Sequence, residues 1–122
     1  MFSSASKSEE TTSNNDKLPS DDGDIVRFLI KKQKFNGLWD FDQDIIEKLV
    51  GKPFSAFQSV NADIKTQVLL STIVVLVLET RFATFSSLWY GVVQKARKQI
   101  CCLLSDENKD FDMLVDNVRK QL

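Results

Sequence analysis

The sequence predicts an all-α fold: a compact bundle of about five helices around one central hydrophobic helix, preceded by a disordered N-terminal tail. Three observations carry that expectation. Val68–Leu78 reads VLLSTIVVLVL, eleven residues without a charge, interrupted only by Ser71 and Thr72. The segments around it repeat apolar residues at the i, i+3, i+4 spacing of amphipathic helices. Residues 1–23, by contrast, have apolar side chains only at Met1, Phe2, Ala5 and Leu18, too few to offset the entropy of ordering them. The organisation expected is therefore a tail over 1–23 and a single helical domain over 24–122.

The Val68–Leu78 run is too short to cross a bilayer, which takes about 20 apolar residues, and Lys65 and Gln67 close it on one side, Glu79 and Arg81 on the other. Its β-branched residues would also suit a buried strand. Its flanks, NADIKTQ and ETRFAT, are helix-compatible, and no Gly or Pro occurs between Pro53 and Gly91. The expectation is one long helix from about Asn61, as N-cap, to Phe82. A helix apolar on every side must be enclosed on every side.

The remaining elements follow in order. Ile25, Val26, Phe28, Leu29 and Ile30 form a short helix capped by Asp22 or a neighbour, with Lys31, Lys32 and Lys34 at its C-terminal end, where cations suit the helix dipole. QKFNGLWDFD, residues 33–42, follows: Asn36-Gly37 marks a tight turn, and Phe35, Leu38, Trp39 and Phe41 are expected to fold onto the core. Asp42 is placed as N-cap of a helix carrying Ile45, Ile46, Leu49 and Val50, with Gly51 as its left-handed stop. Phe54, Phe57 and Val60 read as packing hooks in a loop. After the central helix, Ser86 or Ser87 caps a helix with an apolar stripe of Leu88, Trp89, Val92, Val93, Ala96, Ile100 and Leu103, in which Gly91 would permit close approach to its neighbour. A last helix from about Asp106 buries Phe111, Leu114, Val115, Val118 and Leu122.

Composition narrows function by exclusion. The net charge is −1. Residues 1–23 hold five acids and two bases, −3, and the remainder 14 bases and 12 acids, +2, a weak field for steering a polyanion. The chain has no histidine, so the commonest general base and metal ligand is missing. There is no phosphate-binding glycine loop and no nucleophile elbow. Asp40, Asp42 and Asp44 alternate like the opening of a calcium loop. The glycine and glutamate such a loop needs at its sixth and twelfth positions are here Ile45 and Gly51. Capping and solubility explain those acids, and no catalytic, cofactor or metal residues are assigned. Cys101 and Cys102 are expected to pack as small apolar groups, with thiol reactivity the minor alternative. Adjacent cysteines and the lack of a signal-peptide pattern point to a cytoplasmic protein.

The segment from Ile30 to Gly51, IKKQKFNGLWDFDQDIIEKLVG, resembles the C-terminal region of proteins that combine a VIT domain with a von Willebrand factor A domain. It is similar also to the related C-terminal region of vault poly(ADP-ribose) polymerase. The matching positions are Gln33, Phe35, Gly37, Trp39, Asp42 and Gly51. Trp89 and Lys95-Ala96 match in a later helix, and the likeness spans about residues 24–104. This chain carries neither neighbouring domain nor a D-x-S-x-S metal signature, so their activities do not transfer. The resemblance implies a helical protein–protein interaction module, and the major vault protein as a candidate partner. The alternative is a basic module for nucleic acid or anionic lipid built on Arg27, Lys31, Lys32, Lys34, Lys95, Arg97 and Lys98.

Overall fold

The structure, a computed structural model, describes residues 18–40 and 42–122. Among them are six α-helices and no strand: α1 (Asp22–Lys32), α2 (Gln43–Val50), α3 (Phe54–Val60), α4 (Thr66–Thr80), α5 (Ser86–Asp106) and α6 (Phe111–Gln121), with a 3₁₀ turn at Ala83–Phe85. The expected tail lies largely outside the described residues, and Leu18, at its described end, packs against the core.

Helix α4 is the centre. All eleven residues from Val68 to Leu78 are buried, and α2, α3, α5 and α6 pack around them. α1 docks on α5 instead. Thr72 donates its hydroxyl to the Val68 carbonyl at 2.9 Å, so its buried oxygen is satisfied within the helix. α4 is shorter than expected. Asn61 ends α3 rather than starting α4: its side chain donates to the Phe57 carbonyl (2.8 Å) and its own N–H bonds the Phe57 and Gln58 carbonyls. A short amide that can satisfy freed helix carbonyls stops a helix as readily as it starts one.

The presumed loop at 54–60 is helix α3, which is why there are six helices. Its first free N–H, on Phe54, donates to the Glu47 carboxylate of α2 at 3.0 Å. That cap comes from seven residues upstream, where no local signature would find it. Phe54 and Phe57 are buried, but Val60 is left exposed.

Other ends differ for local reasons. Asp21 caps α1 by accepting from the Asp24 N–H. Asp42 precedes α2 without a side-chain capping bond, and Gly51 closes that helix at φ 74°. The 3₁₀ turn runs straight into α5, so Ser86 is already helical and the N-cap position is Phe85. α5 extends to Asp106, and α6 begins after Asp110, whose carboxylate accepts from the Asp112 N–H at 2.9 Å. In α5 the buried stripe is Trp89, Val93, Ala96, Ile100 and Leu104, with Leu88 exposed. Gly91 faces open space and makes no close approach. Leu122, expected on the apolar face of α6, is exposed as well.

Two polar ties span the bundle. Arg97 of α5 makes a two-pronged bond to Glu79 of α4, Nε to Oε2 at 3.0 Å and a second guanidinium nitrogen to Oε1 at 2.6 Å, and lies 5.4 Å from the Phe111 ring centre of α6. This hydrogen bond holds the Arg97 pKa above its ordinary value. Trp89 donates its indole N–H to the Phe82 carbonyl at 2.8 Å, fastening α5 to the end of α4.

Replacing Val75, fully buried in α4, with Asp buries a carboxylate without a partner. The cost of several kcal/mol is comparable with a domain's whole stability of about 5–15 kcal/mol. The expected outcome is loss of a cooperative melt by circular dichroism. A melt unchanged from wild type would contradict the placement of α4.

Candidate functional site

Residues 33–40 connect α1 to the approach of α2 and are held by α1, α4 and α5. The Lys34 N–H donates to the Leu38 carbonyl at 2.7 Å and the Gly37 N–H to the Lys34 carbonyl at 2.9 Å. This is a tight reversal with Gly37 at φ 93°, the left-handed conformation that Gly adopts most cheaply. The Asn36 side chain accepts from the Leu38 N–H at 3.0 Å, an Asx-type turn. The reversal has hairpin-like bonding with no strands to extend it.

Gln33, half-buried, bridges the turn to α5: its side-chain N–H₂ donates to the Gly37 and Val92 carbonyls, both at 2.9 Å. Trp39 is fully buried. Its indole N–H donates to the Leu29 carbonyl at 2.7 Å, one of the carbonyls left without an intrahelical partner at the end of α1. Its backbone N–H donates to the Ser71 hydroxyl at 2.9 Å, and that hydroxyl donates back to the Trp39 carbonyl at 3.4 Å. One residue thus ties α1, the turn and α4 together.

Phe35 departs from its expected place. Its chemistry suits the core, yet it is 97% exposed, the most exposed of the large apolar residues described. The reason is geometric. Leu38 and Trp39 take the inward positions of the reversal, which leaves Phe35 at its outer corner. The Lys95 ammonium of α5 lies 5.7 Å from its ring centre, and Lys34 pairs with Asp40 at 3.2 Å. Phe41 lies outside the described residues.

The structure therefore brings Gln33, Phe35, Gly37 and Trp39 into one turn, and leaves Asp42 and Gly51 at the two ends of α2 and Trp89 at the α4–α5 junction. Gln33, Gly37, Trp39 and Trp89 are occupied in holding the fold, and Phe35 faces outward with Lys34 and Asn36. Ser71 and Val92, which anchor the turn, were missed. Ser71 appeared only as an interruption in an apolar run, although a small hydroxyl amid buried residues signals a backbone group in need of a partner. Val92 contributes only its carbonyl, for which no sequence signal exists.

The acids of D-x-D-x-D, together with Gln43, Thr66, Gln67 and Leu70, line an open depression of 420 Å³. Among the described residues no three His, Cys, Asp or Glu side chains are grouped to hold a metal ion. Both cysteines are free and exposed rather than packed. Partial desolvation raises the Cys101 thiol pKa, outweighing the lowering by Arg97, which disfavours the reactive thiolate. No single helix among the described residues is long and apolar enough to cross a membrane.

No protein-family model, curated protein or solved structure matches this chain.

The turn makes a direct prediction. A Cβ at position 37 would lie 3.2 Å from both the Lys95 Cγ and the Lys95 carbonyl oxygen, on a backbone at φ 93°. The side chain could move but the carbonyl could not. Gly37→Ala is expected to cost roughly 1–3 kcal/mol and lower the thermal midpoint by several degrees. A midpoint equal to wild type would show that the turn is not locked as described.

Proposed function

We propose that this chain is a non-enzymatic protein–protein interaction module that docks through the Phe35 turn. The observation that carries this reading is the exposed Phe35 ring on a turn whose backbone is fastened at Lys34, Gly37, Leu38 and Trp39. Burying such a ring against a partner contributes about 1.5–3 kcal/mol. Because the turn is already ordered by Gln33, Gly37 and Trp39, little of that gain is lost to fixing the loop. Rigidly held aromatics are the side chains that dominate protein interfaces. The resemblance of the surrounding residues supports the same class and makes a vault-type shell protein the first named candidate.

The basic-module alternative is weakened by how the cations are spent. Arg97 is half-buried on Glu79, Lys34 faces Asp40 and Arg27 faces Asp24 at 3.4 Å. At least three of its seven cations thus carry a nearby carboxylate, which reduces the field available to a phosphate backbone or headgroup.

The test is proximity labelling in the native cell with wild type and Phe35→Ala side by side. The substitution should change stability by no more than about 1 kcal/mol, the scale of an exposed cation–π contact, while removing a specific subset of labelled neighbours. Identical labelling by the two proteins would reject the Phe35 turn as the docking element. Absence of the major vault protein from the wild-type set would remove that candidate and leave the class standing.

A further inference from the structure

The loop between α3 and α4 and the loop between α5 and α6 meet around a cleft of 310 Å³, at the small end of the range of ligand sites. They are tied together there. Lys109 donates to the Asp63 carbonyl and to the Glu107 carboxylate (2.8 Å), and Lys65 reaches Glu107 at 3.4 Å. None of the residues of the Phe35 turn contributes to its lining.

The cleft has two kinds of wall. Val60 and Met113, 46% and 63% exposed, both line it beside Ile64 and the buried Leu114. Two of the six large apolar side chains exposed on the described surface thus converge on one opening. The polar wall is an amide pair. Asn61, only 3% exposed, donates to the Phe57 carbonyl and accepts at its Oδ1 from Asn117 Nδ2 at 3.3 Å. These bonds orient both amides and leave Asn117 with an acceptor oxygen and a second N–H. That is the hydrogen-bonding pattern of a peptide group, and another peptide group complements it. Asp63 and Asp110 also line the cleft, and its one ammonium, Lys109, is shared between the carboxylates of Glu107 at 2.8 Å and Asp63 at 4.0 Å. A ligand bearing a carboxylate is disfavoured there.

We propose that this cleft is a second binding site, taking a short neutral peptide segment: one apolar side chain seated between Val60, Ile64 and Met113, and its backbone amide bonded to Asn117. It is independent of the Phe35 turn.

The smallest probe of that chemistry is N-acetyl-leucine amide, titrated into the ¹⁵N-labelled full chain. The expected result is saturable shifts confined to the Asn61 and Asn117 side-chain amides and the backbone around Met113, with a dissociation constant in the millimolar range appropriate to so small a ligand. N-acetyl-leucine, with a carboxylate in place of the amide, should bind roughly fivefold more weakly through repulsion by the rim acids. Met113→Ala, at an exposed position, should weaken binding by a similar factor with an unchanged melt, and Phe35→Ala should leave binding as in wild type. Shifts that are absent, unsaturable or scattered over the surface would overturn the site. Equal binding of the carboxylate analogue would overturn the preference for a neutral ligand, and an unaffected Met113→Ala would overturn the apolar seat.

Discussion

An eleven-residue length of helix with no polar side can persist in water only if every side is covered. That requirement on Val68–Leu78 arranges most of the chain. α2, α3, α5 and α6 surround α4, and each brings a stripe of Ile, Leu, Val or Phe with its polar residues turned outward. The hydrophobic effect supplies the drive but not the register, because apolar contacts are not directional. Register comes from the few polar bonds that reach between elements: Arg97 to Glu79, Trp89 to the Phe82 carbonyl, Glu47 to the Phe54 N–H, and Trp39 to the Leu29 carbonyl and Ser71.

The Trp39 bonds link this core to the candidate site. A connection between helices normally runs over the surface because its backbone needs water. Residues 38 and 39 instead run inward, and their polar groups are satisfied by protein: the Asn36 side chain for the Leu38 N–H, the Ser71 hydroxyl for both backbone groups of Trp39. With Gln33 clamping the other arm of the reversal to α5, the turn is an extension of the core. Phe35 is displayed by it as an exposed side chain on a backbone held by its neighbours.

The fold class was legible in the sequence because it depends on pattern: one apolar run, amphipathic stripes and two glycines with positive φ at positions 37 and 51. What the pattern could not supply was anything decided by a distant partner. Asn61 looked like a start signal because Asn favours helix ends of both kinds; which end it takes is set by its bonds to Phe57 and Asn117. α3 was hidden because its cap is Glu47. Phe35 looked like core by its chemistry, and only the geometry of the Gly37 reversal turns it outward. Of the candidate residues, Gln33, Gly37 and Trp39 lie together in one turn. Its outward-facing member could not be singled out without knowing which positions of the turn point in, and the cleft around Asn117 involves loops whose meeting no local pattern announces.

The central claim is that the 33–39 turn is part of the rigid core and presents Phe35 from a fixed base. Hydrogen exchange at the Trp39 indole N–H tests it most directly, because that hydrogen is released only when the turn separates from the end of α1. The account predicts exchange as slow as that of the α4 amides from Val68 to Leu78, through global unfolding. Exchange of the indole N–H by local opening, orders of magnitude faster than the α4 amides, would show a loose loop and contradict the account.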